Sequence, residues 1–352
     1  MTRATALLFD DSPARVRGRA AALLAALAVA NLAVWLWALV AFRDYPLLLG
    51  TAALAYSFGL RHAFDADHIA AIDNVTRKLM QEGRRPVGVG LFFSLGHSTI
   101  VIGLSIAIAV FSAGLGARFE TFTTFGAVAG TLVSAGFLFV IAIANLFVLF
   151  STWRAFARVR AGAADAGAID PTLGGGLLAR LFGRFFRSVD HSWGMYPIGL
   201  LFGLGFDTAT EVGLLGISAT QAAQGLPIWS ILVFPALFTA GMTLIDTADS
   251  VLMLGAYGWA FVKPQRKLFY NLTITATSIV VAFLVAGLEV LNLVGDRLGL
   301  AEGGGFWSAI GALNDNFGAL GYVIAGLFAL AWIVSAAVYR FGGFDNLEAA
   351  AK

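Results

Sequence analysis

The stretch Phe58-Gly-Leu-Arg61-His62-Ala-Phe64-Asp65-Ala-Asp67-His68-Ile-Ala-Ala-Ile-Asp73-Asn74 decides the fold. It ends an apolar run that begins near residue 47. The run is long enough to cross a bilayer, whose hydrocarbon core of about 30 Å takes about 20 apolar residues as a helix. Yet it carries one Arg, two His and three Asp. A charge at the bilayer centre costs about 2.5–3.5 kcal/mol even on the mildest insertion scale. Residues of this kind persist in a span only where they face one another or an internal, water-filled cavity.

The rest of the chain has the same character. Of 352 residues, 59% are AVILMFWYC and 12% are charged, and the mean hydropathy is +0.83. A soluble domain carries about 25% charge, so a soluble globule is excluded. The 30 Phe and 8 Trp exclude a disordered chain. The absence of Cys excludes a disulfide scaffold, thiolate metal sites, iron–sulfur clusters and Cys nucleophiles. A net charge of +2 gives no reason to expect nucleic acid as a partner. Eight apolar runs follow one another, near 20–42, 47–74, 87–115, 123–150, 195–217, 228–261, 268–294 and 316–339. The first exceeds the 7–15 residues of a signal-peptide core and reads as a retained span. Runs of this length exclude a β-barrel, whose strands alternate in units of about 10 residues. The fold class is an all-α polytopic membrane protein with eight transmembrane helices.

Basic residues set the orientation, because Lys and Arg collect in cytoplasmic loops. Of 23, 19 fall in the N-terminus, loops 2–3, 4–5 and 6–7, and the tail. Both termini are therefore expected in the cytoplasm. A Gly-, Ala- and Arg-rich segment, 154–194, separates a first membrane half (1–153) from a second (195–352).

Polar residues recur inside four of the spans. Span 3 has Ser94-Leu-Gly96-His97-Ser98-Thr99; span 5 has Phe206-Asp207-Thr208-Ala-Thr210-Glu211; span 6 has Gly241-Met242-Thr243-Leu-Ile-Asp246-Thr247-Ala-Asp249-Ser250. With span 2 they hold seven carboxylates, three of the chain's four His and one Arg. Imidazole plus carboxylate without thiolate is the ligand set of a borderline divalent ion such as Zn, Co, Ni or Fe(II). On a regular helix Arg61, His62, Asp65 and His68 share one face and Asp67 points away. One ion on Asp67 and both His residues therefore requires an unwound helix or a junction of three helices. Asp73 and Asn74, beside Arg77, read equally as an end cap. Asp207–Glu211 and Asp246–Asp249 read equally as structural acceptors. His191 reads as incidental, and Asn145, Glu289 and Asp315 acquire no role from spacing.

Phe58-Gly59-Leu60 with Phe64-Asp65 is similar to Phe202-Gly203-Leu204 with Phe206-Asp207, allowing a two-residue gap. Spans 2 and 5 lie three crossings apart and run in opposite directions. This is the pattern of an inverted repeat of two four-helix halves, which in secondary transporters places the site at the midplane. Spans 2, 3, 5 and 6 are then expected to form the polar core, and spans 1, 4, 7 and 8 a packing shell.

Arg61-His62-Ala-Phe-Asp65-Ala-Asp67-His68-Ile69 resembles the H-x4-D-H signature of the nickel/cobalt transporter family. The resemblance extends over Leu95–Thr99, Leu204–Glu211 and Gly241–Asp249. It implies uptake of Ni(II) or Co(II) across a bacterial cytoplasmic (inner) membrane, with His62, Asp67 and His68 carrying the signature. The ion is then expected on His62, Asp67, His68 and His97. Arg61, Asp65, Ser94, Ser98, Asp207, Thr210, Glu211, Thr243, Asp246 and Asp249 are expected as supporting or path residues. The expected partners are the metal ion and the lipid bilayer, with no tightly bound cofactor. No G-x4-G-K-[ST] occurs, so the chain carries no ATPase motif. The alternatives are a Ni/Co exporter and an intramembrane metal-dependent hydrolase. The absence of H-E-x-x-H disfavours the hydrolase. The lone His191 in the long loop disfavours an exporter, which often has a His-rich one.

Overall fold

The computed structural model describes residues 10–111, 116–160, 189–204, 209–260, 264–300 and 305–341. Among the described residues there are helices and no strands: α1 (Val16–Ala41), α2 (Pro46–His62), α3 (Ala66–Gln81), α4 (Val89–Phe111), α5 (Gly116–Arg160), α6 (Met195–Phe202), α7 (Ala209–Ala223), α8 (Ile228–Ile231), α9 (Val233–Ala260), α10 (Pro264–Arg297), α11 (Phe306–Asp315) and α12 (Phe317–Phe341). Among the described residues, five helices, within α1, α4, α5, α9 and α10, are long and apolar enough to cross a membrane. The pair α11/α12, bent by 82°, would make six.

The charged stretch of span 2 is where its helix breaks. α2 ends at His62, and the turn is closed by Phe64 N–H to the Arg61 carbonyl (2.9 Å) and Asp65 N–H to the His62 carbonyl (2.8 Å). Asp65, extended at φ −64° and ψ 144°, starts α3. Asp67 then lies in the first turn of α3, and one of its oxygens accepts the His68 N–H at 2.9 Å. An acidic residue there suits the free N–H groups and the positive end of the helix dipole. α3 continues to Gln81, which corrects the reading of Asp73 and Asn74 as an end cap beside Arg77. All three are buried mid-helix residues, and Arg77 does not belong to the loop 2–3 charge. Span 5 holds two helices, α6 ending at Phe202 and α7 starting at Ala209. Span 4 belongs to a helix that runs to Arg160.

Two apolar clusters organise the bundle. One joins α3 to α4, α5, α10 and α12 through residues such as Ile72, Leu138, Val285 and Phe328. The other joins α1, α2, α7 and α9 through Phe42, Ala55, Leu214 and Phe234. The broken helices pack across the bundle with reciprocal glycines. On α2, Gly59 lies against the backbone of Phe238 in α9, and Gly241 of α9 faces the Tyr56 carbonyl and Leu60 N–H. On α6, Gly199 lies against the Phe93 carbonyl in α4, and Gly96 of α4 meets Tyr196 and Leu200. A side chain at Gly59 or Gly199 would collide with backbone, so only glycine permits this approach. Leu32, Leu36, Val323 and Leu330 are exposed on the outer faces of α1 and α12, as a lipid-facing surface requires.

Candidate metal centre

The break in span 2 gives His62 and His68 separate helices, so the two imidazoles converge instead of stacking along one face. His97, in α4, completes a triangle. The ring centroids are 4.6 Å (His62–His68), 4.8 Å (His62–His97) and 5.0 Å (His68–His97) apart. All three residues are buried, and one ligand atom from each lies within 4.8 Å of the others. Phe93 meets the His68 ring edge-on and Phe238 covers His62.

Each imidazole has a carboxylate beside it. His62 Nδ1 is 2.7 Å from Asp65 Oδ2 and 3.2 Å from Thr210 Oγ1. His68 Nδ1 is 3.2 Å from Asp246 Oδ2, which also accepts the Ser94 hydroxyl at 2.5 Å. His97 Nε2 is 2.8 Å from Glu211 Oε1 and 3.1 Å from His62 Nε2. A carboxylate accepting from Nδ1 fixes the proton there and leaves the Nε2 lone pair available. That assigns Nε2 of His62 and His68 as their ligand atoms, and His68 Nε2 has no hydrogen-bond partner. By the same rule Glu211 holds the proton of His97 on Nε2 and leaves Nδ1, which has no hydrogen-bond partner, as its ligand atom.

A cavity of about 310 Å³ opens from this triangle. His62 and His97 line it, with five carboxylates (Asp65, Asp67, Glu211, Glu289, Asp315) and a single cation, Arg61. Six waters occupy about 180 Å³ at liquid density, so the cavity admits an ion with its hydration shell. Thr131, Ser134, Asn314 and Phe317 complete the wall that carries Glu289 and Asp315. The Ser134 hydroxyl donates to Glu289 at 2.9 Å.

The structure thus brings together His62, His68, His97, Asp65, Ser94, Thr210, Glu211 and Asp246. Asp67 and Arg61 belong to the cavity wall, outside the group of three ligand atoms. Ser98 is buried without a hydrogen-bond partner for its hydroxyl. Thr243 donates to the Thr239 carbonyl of its own helix at 2.6 Å. Asp249 lies one turn beyond Asp246 and its Oδ2 has no partner. Asp207 lies outside the described residues. His191 pairs with Asp190 at 2.9 Å. The separation into a core of spans 2, 3, 5 and 6 and a shell is corrected by the cavity. α5, α10 and the α11/α12 bend supply Thr131, Ser134, Glu289, Asn314 and Asp315. The signal that could have found Glu289 was a lone acid between Leu288 and Val290 in an apolar run.

Buried imidazoles at a helix break, with carboxylates behind and a charged cavity in front, define a multi-pass membrane protein equipped to handle a transition-metal ion. Residues 48–338 match the NicO family, described as high-affinity nickel-transport protein, and the chain belongs to that family. It is similar to the high-affinity nickel transport protein of Cupriavidus necator, 57% identical over 340 residues covering 96% of each chain. It is also similar to the nickel transporter NicT of Mycobacterium tuberculosis, 46% identical over 303 residues covering 85% of this chain and 80% of that one. The cobalt transport protein NhlF of Rhodococcus rhodochrous is 43% identical over 289 residues, 81% of each chain. These relatives are transporters and not enzymes. No solved structure matches the chain.

Proposed function

We propose that the chain takes up Ni(II), Co(II) or both across a bacterial cytoplasmic membrane, holding the ion on His62, His68 and His97. The observation that carries this is the triangle of buried imidazoles, each with a carboxylate beside it. A nitrogen-rich site of this kind prefers borderline ions such as Ni(II) and Co(II) to Mg(II) or Ca(II). Asp67 faces the cavity and takes the ion from its water shell. Asp65, Glu211 and Asp246 orient the rings, and Ser94 and Thr210 hold those carboxylates and His62 in turn.

Eight crossings accommodate the helices: α1, the broken pair α2/α3, α4, α5, the broken pair α6/α7, α9, α10 and the bent pair α11/α12. The residues where pairs break are the ones that would be intolerable in a continuous lipid-facing helix. Reciprocal packing of α2 on α9 and of α6 on α4 supports an inverted repeat of the halves 1–153 and 195–352, joined by a cytoplasmic linker. The basic loops support cytoplasmic termini. Transport then moves the halves against each other around the site.

The test is uptake of labelled Ni(II) and Co(II) at trace concentration into cells making the wild type, His62→Ala or His68→Ala at equal membrane levels. Saturable uptake in the wild type and at least tenfold less in both variants is expected. Uptake that survives both changes removes the ion from the triangle. Faster loss from preloaded cells reverses the direction.

A further inference from the structure

The cavity lies on one side of the triangle. On the other side, α3 leads from His68 past Asp73 to Arg77, a path of about 14 Å at 1.5 Å per residue. That path is filled by polar side chains, all buried, from four helices. Asp73 accepts the Tyr257 hydroxyl on Oδ1 and the Ser278 hydroxyl on Oδ2 at 2.8 Å. Arg77 donates to Thr275 Oγ1 at 2.9 Å and to Asn74 Oδ1 at 3.1 Å. Asn145 donates to the same Asn74 oxygen at 2.6 Å. Apart from the Arg77–Asn74 bond within α3, these bonds cross between helices, joining α3 to α5, α9 and α10. A guanidinium in this position also repels an approaching dication.

Beneath this layer lies a second one. Asp11, buried just before α1, accepts the Ser192 backbone N–H at 2.7 Å and the Ser192 hydroxyl at 2.6 Å. The Asp11 carbonyl accepts the Arg85 N–H at 2.8 Å, and Arg19 binds the carbonyls of Ser12 and Arg85. Lys78 of α3 donates to the Val189 carbonyl at 2.7 Å. These contacts tie the N-terminal segment and the α3–α4 connection to the start of α6. They join the two halves of the chain at the face opposite the cavity. α6 in turn meets α4 at Gly96, the neighbour of His97. A change at the ion site therefore has a direct mechanical route to the Ser192 contact.

We infer that these two layers form the inner gate of the transporter: the Asp73–Tyr257–Ser278 and Arg77–Asn74–Thr275 bonds close the path inside the bundle, and the Asp11–Ser192 contact latches the halves beneath it. Release of the ion requires both to open. The inference rests on the transport reading and is tested separately from it. The chain has no Cys, so Ser250→Cys introduces a single thiol. Ser250 is fully buried on α9, four residues beyond Asp246 and seven before Tyr257, and so shares their helix face. Labelling by a membrane-impermeant maleimide is followed in inside-out vesicles, in the S250C background alone and with Asp11→Ala or Tyr257→Phe added. Either addition is expected to raise the labelling rate at least tenfold while Ni(II) binding by the purified carrier stays within threefold. Equal labelling with and without the additions overturns the gate, whether that common rate is slow or fast. So does a fall in melting temperature with no change in labelling, which marks these contacts as structural. Failure of the transport reading would show elsewhere, as absence of Ni(II) and Co(II) uptake by the unmodified chain.

Discussion

Replacing Asp246 by Asn tests the carboxylate-directed imidazole most sharply. Asp246 is fully buried, with Oδ2 at 3.2 Å from His68 Nδ1 and 2.5 Å from Ser94 Oγ. An ion on His68 Nε2 would stand about 6.5 Å from that carboxylate, across the ring and a metal–nitrogen bond of about 2.1 Å. Coulomb attraction between one negative charge and a dication at that separation is about 5 kcal/mol at an effective dielectric constant of about 20. The neutral Asn forfeits that attraction, but it also escapes the desolvation that a buried carboxylate suffers. It keeps an acceptor oxygen of nearly the same shape for Ser94 and His68. The net loss is therefore expected in the range typical of an altered carboxylate–histidine pair, 10–100-fold in affinity, or about 1.4–2.7 kcal/mol. The assay is equilibrium binding of Ni(II) to detergent-purified protein, with helix content as the folding control. A Kd within threefold of the wild type, in a folded variant, refutes the argument that Asp246 sets the His68 ring.

Three further outcomes follow from the same geometry. Gly59→Ala places a Cβ against the Phe238 backbone and is expected to cost about 1–3 kcal/mol by overpacking; Gly103→Ala, with open space around it, is expected to be neutral or stabilising by about 0.5–1 kcal/mol, and thermal unfolding in detergent compares the two. Acid competes with the ion because imidazole must be neutral to ligate, so binding is lost as pH falls. Once the imidazoles protonate, apparent Kd is expected to rise about tenfold per pH unit for each proton displaced, and titrations between pH 7.5 and 5.5 read this directly. Glu289→Gln removes one of the five cavity carboxylates and is expected to lower the initial uptake rate about two- to fivefold at low ionic strength. The difference should shrink as salt screens the cavity, while binding stoichiometry stays the same.

The three buried histidines that the structure brings together were legible as candidates in the sequence because lipid makes polar residues conspicuous. His62, His68 and His97 could hardly be packing residues in apolar runs. The mismatch between Asp67 and the face of His62 and His68 already called for an unwound helix or a junction of three helices, and the chain breaks at Ala63–Asp65. What pairs with what was not legible. Asp246 lies 178 positions from His68 and Glu211 lies 114 from His97, and no local pattern fixes contacts at that distance. Glu289 and Asp315 remained without a role because a single acid in a span says nothing of which cavity it faces. Arg77 was assigned to a loop because charge alone placed the end of the span, whereas α3 continues and hydrogen bonds satisfy the guanidinium inside it.

The two broken helices explain why the site needs the whole chain. α2 carries His62 but is seated on α9, which carries Asp246. α6 leads toward Glu211 and is seated on α4, which carries His97 and Ser94. Each half thus packs its broken helix on an unbroken helix of the other, with glycines on both sides of each contact. The imidazoles all come from residues before the linker, whereas Asp246 and Glu211, which stand beside His68 and His97, come from after it. Displacing one half relative to the other would separate the His68 and His97 rings from their carboxylates while leaving every helix intact, whereas His62 keeps Asp65 from its own half. A carrier must hold its ion tightly in one state and release it in another. For His68 and His97, two of the three imidazoles, the carboxylate comes from the far side of the linker, so under the proposed transport reading a rigid movement of helices would change affinity.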